Sequence, residues 1–297
     1  MGLIRADAAG SMGAGRLAAG LGVAIVALST AAPFFRQAEP THPMAAAAIR
    51  LAAAFVCLLP FFLRAVRRGD VDRRFVAHGA GAGIFYALHF GFWVTSLTMT
   101  SVAASVTLVT ATPVLLAVWA WLWKTDRPTT RTYVALGICA VGMTVIGWHD
   151  LGISTEHALG DLLAFGGAAA MAGYLLIARR LGDDFDVFAF MGVATGVGAA
   201  VLFGACIVVG VDPRPASTEA FVFLLLAALF PQLVGHNLLT WALRYTTPTT
   251  VGITTVGEPV GATILAWLWL GETVGWVTAT GCVLTLTGVV VAITDRG

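Results

Sequence analysis

The sequence predicts an all-α polytopic membrane protein of ten transmembrane helices, built as two inverted five-helix repeats spanning residues 1–150 and 151–297. Three observations carry that expectation: an apolar composition, ten apolar stretches of spanning length, and a self-match between the two halves. Of 297 residues, 58% are hydrophobic and only 11% charged, and mean hydropathy is +0.87. A soluble domain carries about 25% charged residues. The chain holds one lysine (Lys124), one asparagine (Asn237) and two glutamines (Gln37, Gln232), too little polar surface to cover a water-soluble globule of this size. The net charge of +1 says nothing about nucleic acid, there is no basic stripe to read as a nucleic-acid face, and no such partner is expected. Cys57, Cys139, Cys206 and Cys282 sit in apolar stretches without CxxC or Cys/His spacing and read as small buried apolar residues.

A hydrocarbon core about 30 Å thick needs roughly 20 apolar helical residues. Such stretches, separated by Arg, Asp, Pro or Gly-rich breaks, run Arg16–Arg36, Met44–Leu63, Phe75–Met99, Ser101–Trp123 and Thr132–Trp148 in the first half. The second half supplies Gly160–Ala178, Val187–Val211, Glu219–Leu243, Thr249–Leu270 and Val274–Thr294. The first stretch follows Arg5 and Arg16 and imitates a signal peptide. It is long enough to span, and removing it would leave an odd number of helices. With ten spans and both termini cytoplasmic, the inside loops hold 14 Lys and Arg residues, while the outside loops hold only Arg36 and Arg214. That asymmetry follows the positive-inside rule and is scrambled by shifting the count by one span.

The halves match by eye. Thr112-Pro113-Val114 leads through Ala120-Trp121-Leu122-Trp123 to Asp126. A constant 146 positions later, Glu258-Pro259-Val260 leads through Ala266-Trp267-Leu268-Trp269 to Glu272. One span earlier the separation is 148, pairing Trp93 with Trp241 and His89 with Asn237. An odd number of helices per repeat inverts the second copy. Inverted repeats suit alternating access, because equivalent half-structures exchange roles at each face.

This pattern resembles the EamA-type transporters of the drug/metabolite transporter superfamily. Gly160-Asp161-Leu162-Leu163 opening span 6, Tyr174…Arg179-Arg180 closing it, and Ala48-Ile49-Arg50 in span 2 add to the likeness. The chain departs from the family where Lys124-Thr125-Asp126 replaces the usual Leu-Gly-Glu ending. The resemblance implies a ten-helix transporter whose third helix supplies cavity residues, and it leaves the substrate open among amino acids, sugars, nucleotide-sugars and other metabolites.

Several residues are candidates for substrate contact. Pro113 and Pro259 deprive the Val109 and Thr255 carbonyls of their helical partners, which points spans 4 and 9 toward the bundle interior. Thr112 occupies the position equivalent to Glu258. Glu258, the only acidic residue near a midplane, is either a proton or substrate-ammonium partner or a carboxyl bracing the kinked helix. Tyr86, His89 and Trp93 share one helical face; Asn237 and Trp241 share another, with Gln232 and His236 beside them. Tyr174 is placed to line the path or to pack. Arg50 either stabilises a helix junction or binds a substrate carboxylate. Trp119, Trp121, Trp123, Trp267 and Trp269 suit an interfacial belt, and Gly79, Gly81, Gly83, Gly192 and Gly196 suit close helix packing. The segment with His149, Asp150, Glu156, His157 and Asp161 reads as a loop between spans 5 and 6, ending with Asp161 as a helix cap and matching no metal motif.

The expected function is therefore a secondary transporter in the cytoplasmic membrane, an exporter or exchanger of a small polar or amphipathic metabolite such as an amino acid. No Walker sequence supplies an ATPase, no cofactor is expected, and protons are a possible coupling ion. The bilayer and the small-molecule substrate are the expected partners, and the state is a monomer or homodimer. The alternatives are an uncoupled facilitator or channel, and a membrane enzyme acting on lipids, for which no HExxH or paired DxxxD is present.

Overall fold

The structure, a computed structural model, describes residues 14–122, 130–182, 185–246 and 248–293. These residues form helices and turns without strands. Ten helical stretches appear in chain order. They are α1 (Gly15–Gln37), α2 (Pro43–Arg68), α3 (Arg73–Leu97), α4 (Val102–Val109 then Thr112–Leu122) and α5 (Thr130–Ile153). After them come α6 (Thr155–Arg179), α7 (Val187–Val209), α8 (Thr218–Ala242), α9 (Pro248–Thr254 through Ala266–Leu270) and α10 (Trp276–Ile293). Seven are long and apolar enough to cross a membrane, and the apolar segments Tyr133–Ile146 and Trp276–Gly288 are shorter. The Lys124–Arg127 turn, Trp123 and the N-terminal Arg5 lie outside the described residues.

Caps set the helix starts. The Asp72 carboxylate accepts from Phe75 N at 2.6 Å, and Ser101, Asp186 and Ser217 do the same for Ala104, Ala189 and Ala220. Gly69 and Gly210, at φ 79° and 75°, end α2 and α7 in the left-handed conformation that a side chain resists. One expectation is overturned here. The segment read as a loop before span 6 is helical on both sides of Ser154, whose hydroxyl accepts from His157 N at 3.1 Å. Ser154 is therefore the cap, and Asp161 lies buried in the second turn of α6. The signal missed was Ser154-Thr155-Glu156-His157 itself, a hydroxyl three residues ahead of the amide it caps. No cluster of metal-ligating side chains occurs among the described residues, and the side chains of His149 and Asp150 lie outside them.

Helices of one half pack against helices of the other. The strongest associations are α5 with α10, α2 with α7, and α3 with α6, and α4 meets α9. The counterpart of the α3–α6 pair is α8 against α1. Small residues permit the approach: a Cβ on Gly83 would lie 2.8 Å from the Ala194 carbonyl, and one on Gly196 would lie 2.8 Å from the Phe55 ring. Loops group by end as ten spans require. At one end Arg36 pairs with Glu272 at 3.2 Å and donates to the Thr100 carbonyl at 3.0 Å, while Ala216 N donates to the Thr41 hydroxyl at 3.0 Å. At the other, arginine-rich end, Arg74 donates to the Arg180 carbonyl at 3.1 Å and Arg179 to the Leu243 carbonyl at 3.0 Å. Gly160, near the start of α6, abuts Met99 and Thr100 at the end where α1 finishes, so the two repeats run in opposite directions. Trp119, Trp121, Trp267 and Trp269 are exposed, as a belt requires. Cys139 and Cys206 are buried, whereas Cys57 is exposed on the outer face of α2, a correction that leaves it facing lipid.

Candidate functional site

Four helices are interrupted, and the interruptions converge. In α1 the chain turns at Thr30, three residues before Pro33, and the Thr30 hydroxyl donates to the Ala27 carbonyl at 2.7 Å. In α4 the break falls at Thr110–Ala111, just ahead of Pro113. The carbonyl that Pro113 orphans, Val109 O, receives the Thr112 hydroxyl at 3.2 Å, and the same hydroxyl lies 3.3 Å from Ala168 O on α6. In α9 a 3₁₀ turn, Thr255–Gly257, precedes Pro259, and Glu258 N closes onto the Thr255 carbonyl. In α8 a π-helical stretch, Ala228–His236, carries Pro231. Wide turns of this kind often accompany functional sites. Each half solves the same proline problem with a different local device.

Between these breaks lies a cavity of about 40 Å³. Its polar lining is His89 and Trp93 from α3, Thr110 and Thr112 from α4, Tyr174 from α6, His236 and Thr240 from α8, and Thr255 and Glu258 from α9. Leu28, Ala31, Val109, Met171, Leu175, Leu239 and Val251 make the rest apolar. His89 Nδ1 lies 2.9 Å from the Gly167 carbonyl, which fixes the proton on that nitrogen and aims Nε2 elsewhere. The Tyr174 hydroxyl meets the Thr240 hydroxyl at 2.7 Å and the Met191 sulfur at 3.0 Å. Its ring stacks on Tyr86 with centroids 4.1 Å apart. Ser29 approaches the Glu258 carbonyl at 3.4 Å, tying the α1 break to the α9 break.

Behind this wall is a second buried layer. The Arg50 guanidinium sits 4.3 Å from the Phe90 centroid and 5.5 Å from that of Phe35. Arg50 and Gln232 are both 0% exposed. None of the three guanidinium nitrogens has a hydrogen-bond partner among the described residues, and the Gln232 amide makes no hydrogen bond of standard geometry, meeting only the Tyr86 side chain. Asn237 is likewise buried and unpaired.

Of the sequence candidates, His89, Trp93, Thr112, Tyr174, His236 and Glu258 are therefore brought together around one cavity. Tyr86, Gln232, Asn237 and Arg50 are buried beside it rather than on its wall. Trp241 departs from the group. It lines a separate vestibule of about 690 Å³ at the arginine-rich end with Asp70, Asp72, Arg74, Asp186 and Arg244, and packs against Gly20.

A profile of the EamA-like transporter family matches the chain twice, over residues 16–148 and 158–294. The chain belongs to the EamA-like transporter family. It is thereby a membrane transporter of the drug/metabolite transporter superfamily. A solved crystal structure shares the EamA-like fold of this chain with a TM-score of 0.66 at 18% identity, covering 95% of this chain and 98% of its own. No curated protein matches the sequence.

Sequence reasoning found Tyr174 on α6 but not the apolar part of the wall from α1 and α6: Leu28, Ala31, Met171 and Leu175 carry no polar signal. Thr240 and Thr255 were equally silent, because a single hydroxyl in an apolar helix usually bonds its own backbone. Pro33 and Pro231 were the available clues, since each marks a helix break as Pro113 and Pro259 do.

Proposed function

We propose that this transporter exports a small polar or amphipathic metabolite, an amino acid or a related compound, across the cytoplasmic membrane by alternating access. The observation that carries the reading is the convergence of four interrupted helices on one mixed polar and aromatic cavity. Secondary transporters bind cargo at such interruptions near the midplane. At about 40 Å³ the cavity has room for a few waters only. Small-molecule sites are about 300–1,000 Å³. Loading a metabolite therefore requires the broken helices to move apart, which fits a carrier better than a standing channel. The arginine-rich end faces the cytoplasm in this reading, by the positive-inside rule, and Glu258 is the group placed to take a proton or a substrate ammonium.

The test is flux in proteoliposomes of purified protein. Counterflow of labelled amino acids saturates and shows stereoselectivity if the reading holds. Flux rising linearly with concentration indicates a channel instead. An imposed pH gradient that accelerates wild type but not Glu258→Gln assigns proton coupling, and indifference of both to the gradient removes it.

A further inference from the structure

We propose that Arg50 and Gln232 form a receiving site for a carboxylate, so that the transported metabolite is a monoanionic or zwitterionic carboxylate. The inference rests on the transporter reading above and deepens it. Arg50 is the only Lys or Arg side chain buried among the described residues. Arginines that brace this bundle donate to backbone: Arg36 to Thr100 O, Arg74 to Arg180 O and Arg179 to Leu243 O. Arg50 makes no such bond through any of its three nitrogens. An arginine has five N–H donors and no acceptor, and a buried guanidinium left unpaired is costly. The Phe90 and Phe35 rings supply cation–π contact only.

Two further features point to an incoming anion. Gln232 is equally buried, and its amide makes no hydrogen bond of standard geometry, meeting only the Tyr86 side chain. Tyr86 links the two: its side chain meets that of Gln232, and its ring centroid lies 5.2 Å from that of Phe90, the ring against which the Arg50 guanidinium sits. This buried layer adjoins the cavity across a thin partition. His236 on the cavity wall lies 5.4 Å from the Phe90 ring, whose centroid is 4.3 Å from the guanidinium. Trp93, also on the wall, lies 5.7 Å from Phe35. Phe90 stands between Arg50 and the cavity, and the proposal requires that ring to move aside when the carboxylate arrives. A planar guanidinium fork matches a carboxylate bidentately. One interior cation neutralises one negative charge, so a phosphate dianion fits poorly here. Glu258, also buried and within electrostatic reach of Arg50 though not ion-paired to it, provides the partner for an ammonium at the other end of a zwitterion.

The experiment is a thermal-shift screen of the purified full-length transporter. The probes are proteinogenic amino acids, each with its carboxamide and its decarboxylated amine. At least one carboxylate should raise the melting temperature saturably while its amide and amine do not. Arg50→Gln should weaken that ligand at least about tenfold, and Arg50→Lys should recover part of the loss without a bidentate fork. Arg50→Lys, together with the wild-type matched sets, decides the matter if Arg50→Gln fails to fold. Amides or amines that shift the protein as strongly as the carboxylates overturn the proposal, as does unchanged affinity in Arg50→Gln. Saturable wild-type flux of amides or amines leaves the transporter reading standing while removing the carboxylate site. Non-saturating flux of every probe removes the transporter reading itself.

Discussion

Substituting Gly142 by alanine probes the contact between the two repeats most directly. A Cβ at Gly142 would collide with the Thr285 hydroxyl, and would lie 2.6 Å from Thr285 N and 2.8 Å from Gly281 O. The hydroxyl can rotate away; the α10 backbone cannot. Ordinary carbon contacts begin near 3.5 Å, so the shortfall is roughly 1 Å and α10 has to withdraw from α5 by about that much. Forced overpacking costs about 1–3 kcal/mol. Backbone rather than side-chain conflict, repeated at two atoms, places Gly142→Ala near the upper end, about 2–3 kcal/mol. Gly288 faces the same problem from the other side, where an added Cβ would lie 2.7 Å from Cys139 N and 2.8 Å from Ala135 O. The double variant should lose less than the sum, because a separation made by the first methyl admits the second. Reversible unfolding in mixed micelles measures the stability, and counterflow measures KM. Neither α5 nor α10 lines the cavity, so KM should be unchanged. Stability within about 0.5 kcal/mol of wild type, or an altered KM with stability retained, would refute the packing argument.

Three further predictions follow from single contacts. Thr112→Val removes the hydroxyl shared by Val109 O and Ala168 O and should cost about 1 kcal/mol in the same unfolding assay, since such bonds in membrane bundles reach about 1.7 at most; Thr112→Ser should be silent. Glu272→Gln releases Arg36 (3.2 Å) and loosens the bond from Val102 N (3.2 Å), so a water-soluble thiol reagent should modify Thr110→Cys several-fold faster in a background without the native cysteines. An unchanged rate would mean that this contact does not hold that end closed. Asp212, in the α7–α8 connection, is held down to about 2 by the hydrogen bonds from Arg214, and any contribution it makes is present above its ordinary value of 3.8 and lost as pH falls through about 2. Because the pair is fully exposed and screened, Asp212→Asn should melt with wild type at neutral pH, and a clear difference in Tm there would contradict that screening.

The ten-helix architecture was legible because two independent patterns constrained it, the cation asymmetry and the repeat carried by Pro113 and Pro259. Chemistry-bearing side chains on α3, α4 and α9 were legible for the same reason: in an apolar chain a His, Glu or Thr-Pro step stands out. What could not be read was the wall contributed by residues such as Leu28 and Met171, whose side chains look alike whether they face cargo, lipid or a neighbour. Trp241 shows the converse limit. Its repeat partner Trp93 lines the cavity, yet Trp241 faces the vestibule at the arginine-rich end, because the second repeat is inverted and carries its copy of the position to the opposite end of the bundle. A sequence offset transfers position along the chain, not the end of the bundle at which that position arrives.

Differences between the two halves bear on how they move. Were the repeats structurally identical, the α1–α8 pair and its counterpart α6–α3 would be equally pliable. They are not. Both members of the first pair are interrupted, at Thr30 and through the π stretch from Ala228 to His236, whereas α3 and α6 each run 25 residues without a break. The α4–α9 pair is interrupted in both members as well. Three pairs of unbroken helices (α2 with α7, α3 with α6, α5 with α10) thus stand beside two pairs of broken ones. An interrupted helix bends at its break for the cost of a few reorganised hydrogen bonds, whereas a continuous one has to move as a rigid rod. Under the alternating-access reading, opening toward either face therefore falls to α1, α4, α8 and α9 sliding and bending against a fixed α3–α6 wall. His89, on that wall, then keeps its tie to the Gly167 carbonyl through the cycle, while Glu258 and His236, on the moving side, change distance to it and the Tyr174–Thr240 contact has to yield. A carrier built this way holds its cargo against the rigid side and releases it with the pliable one.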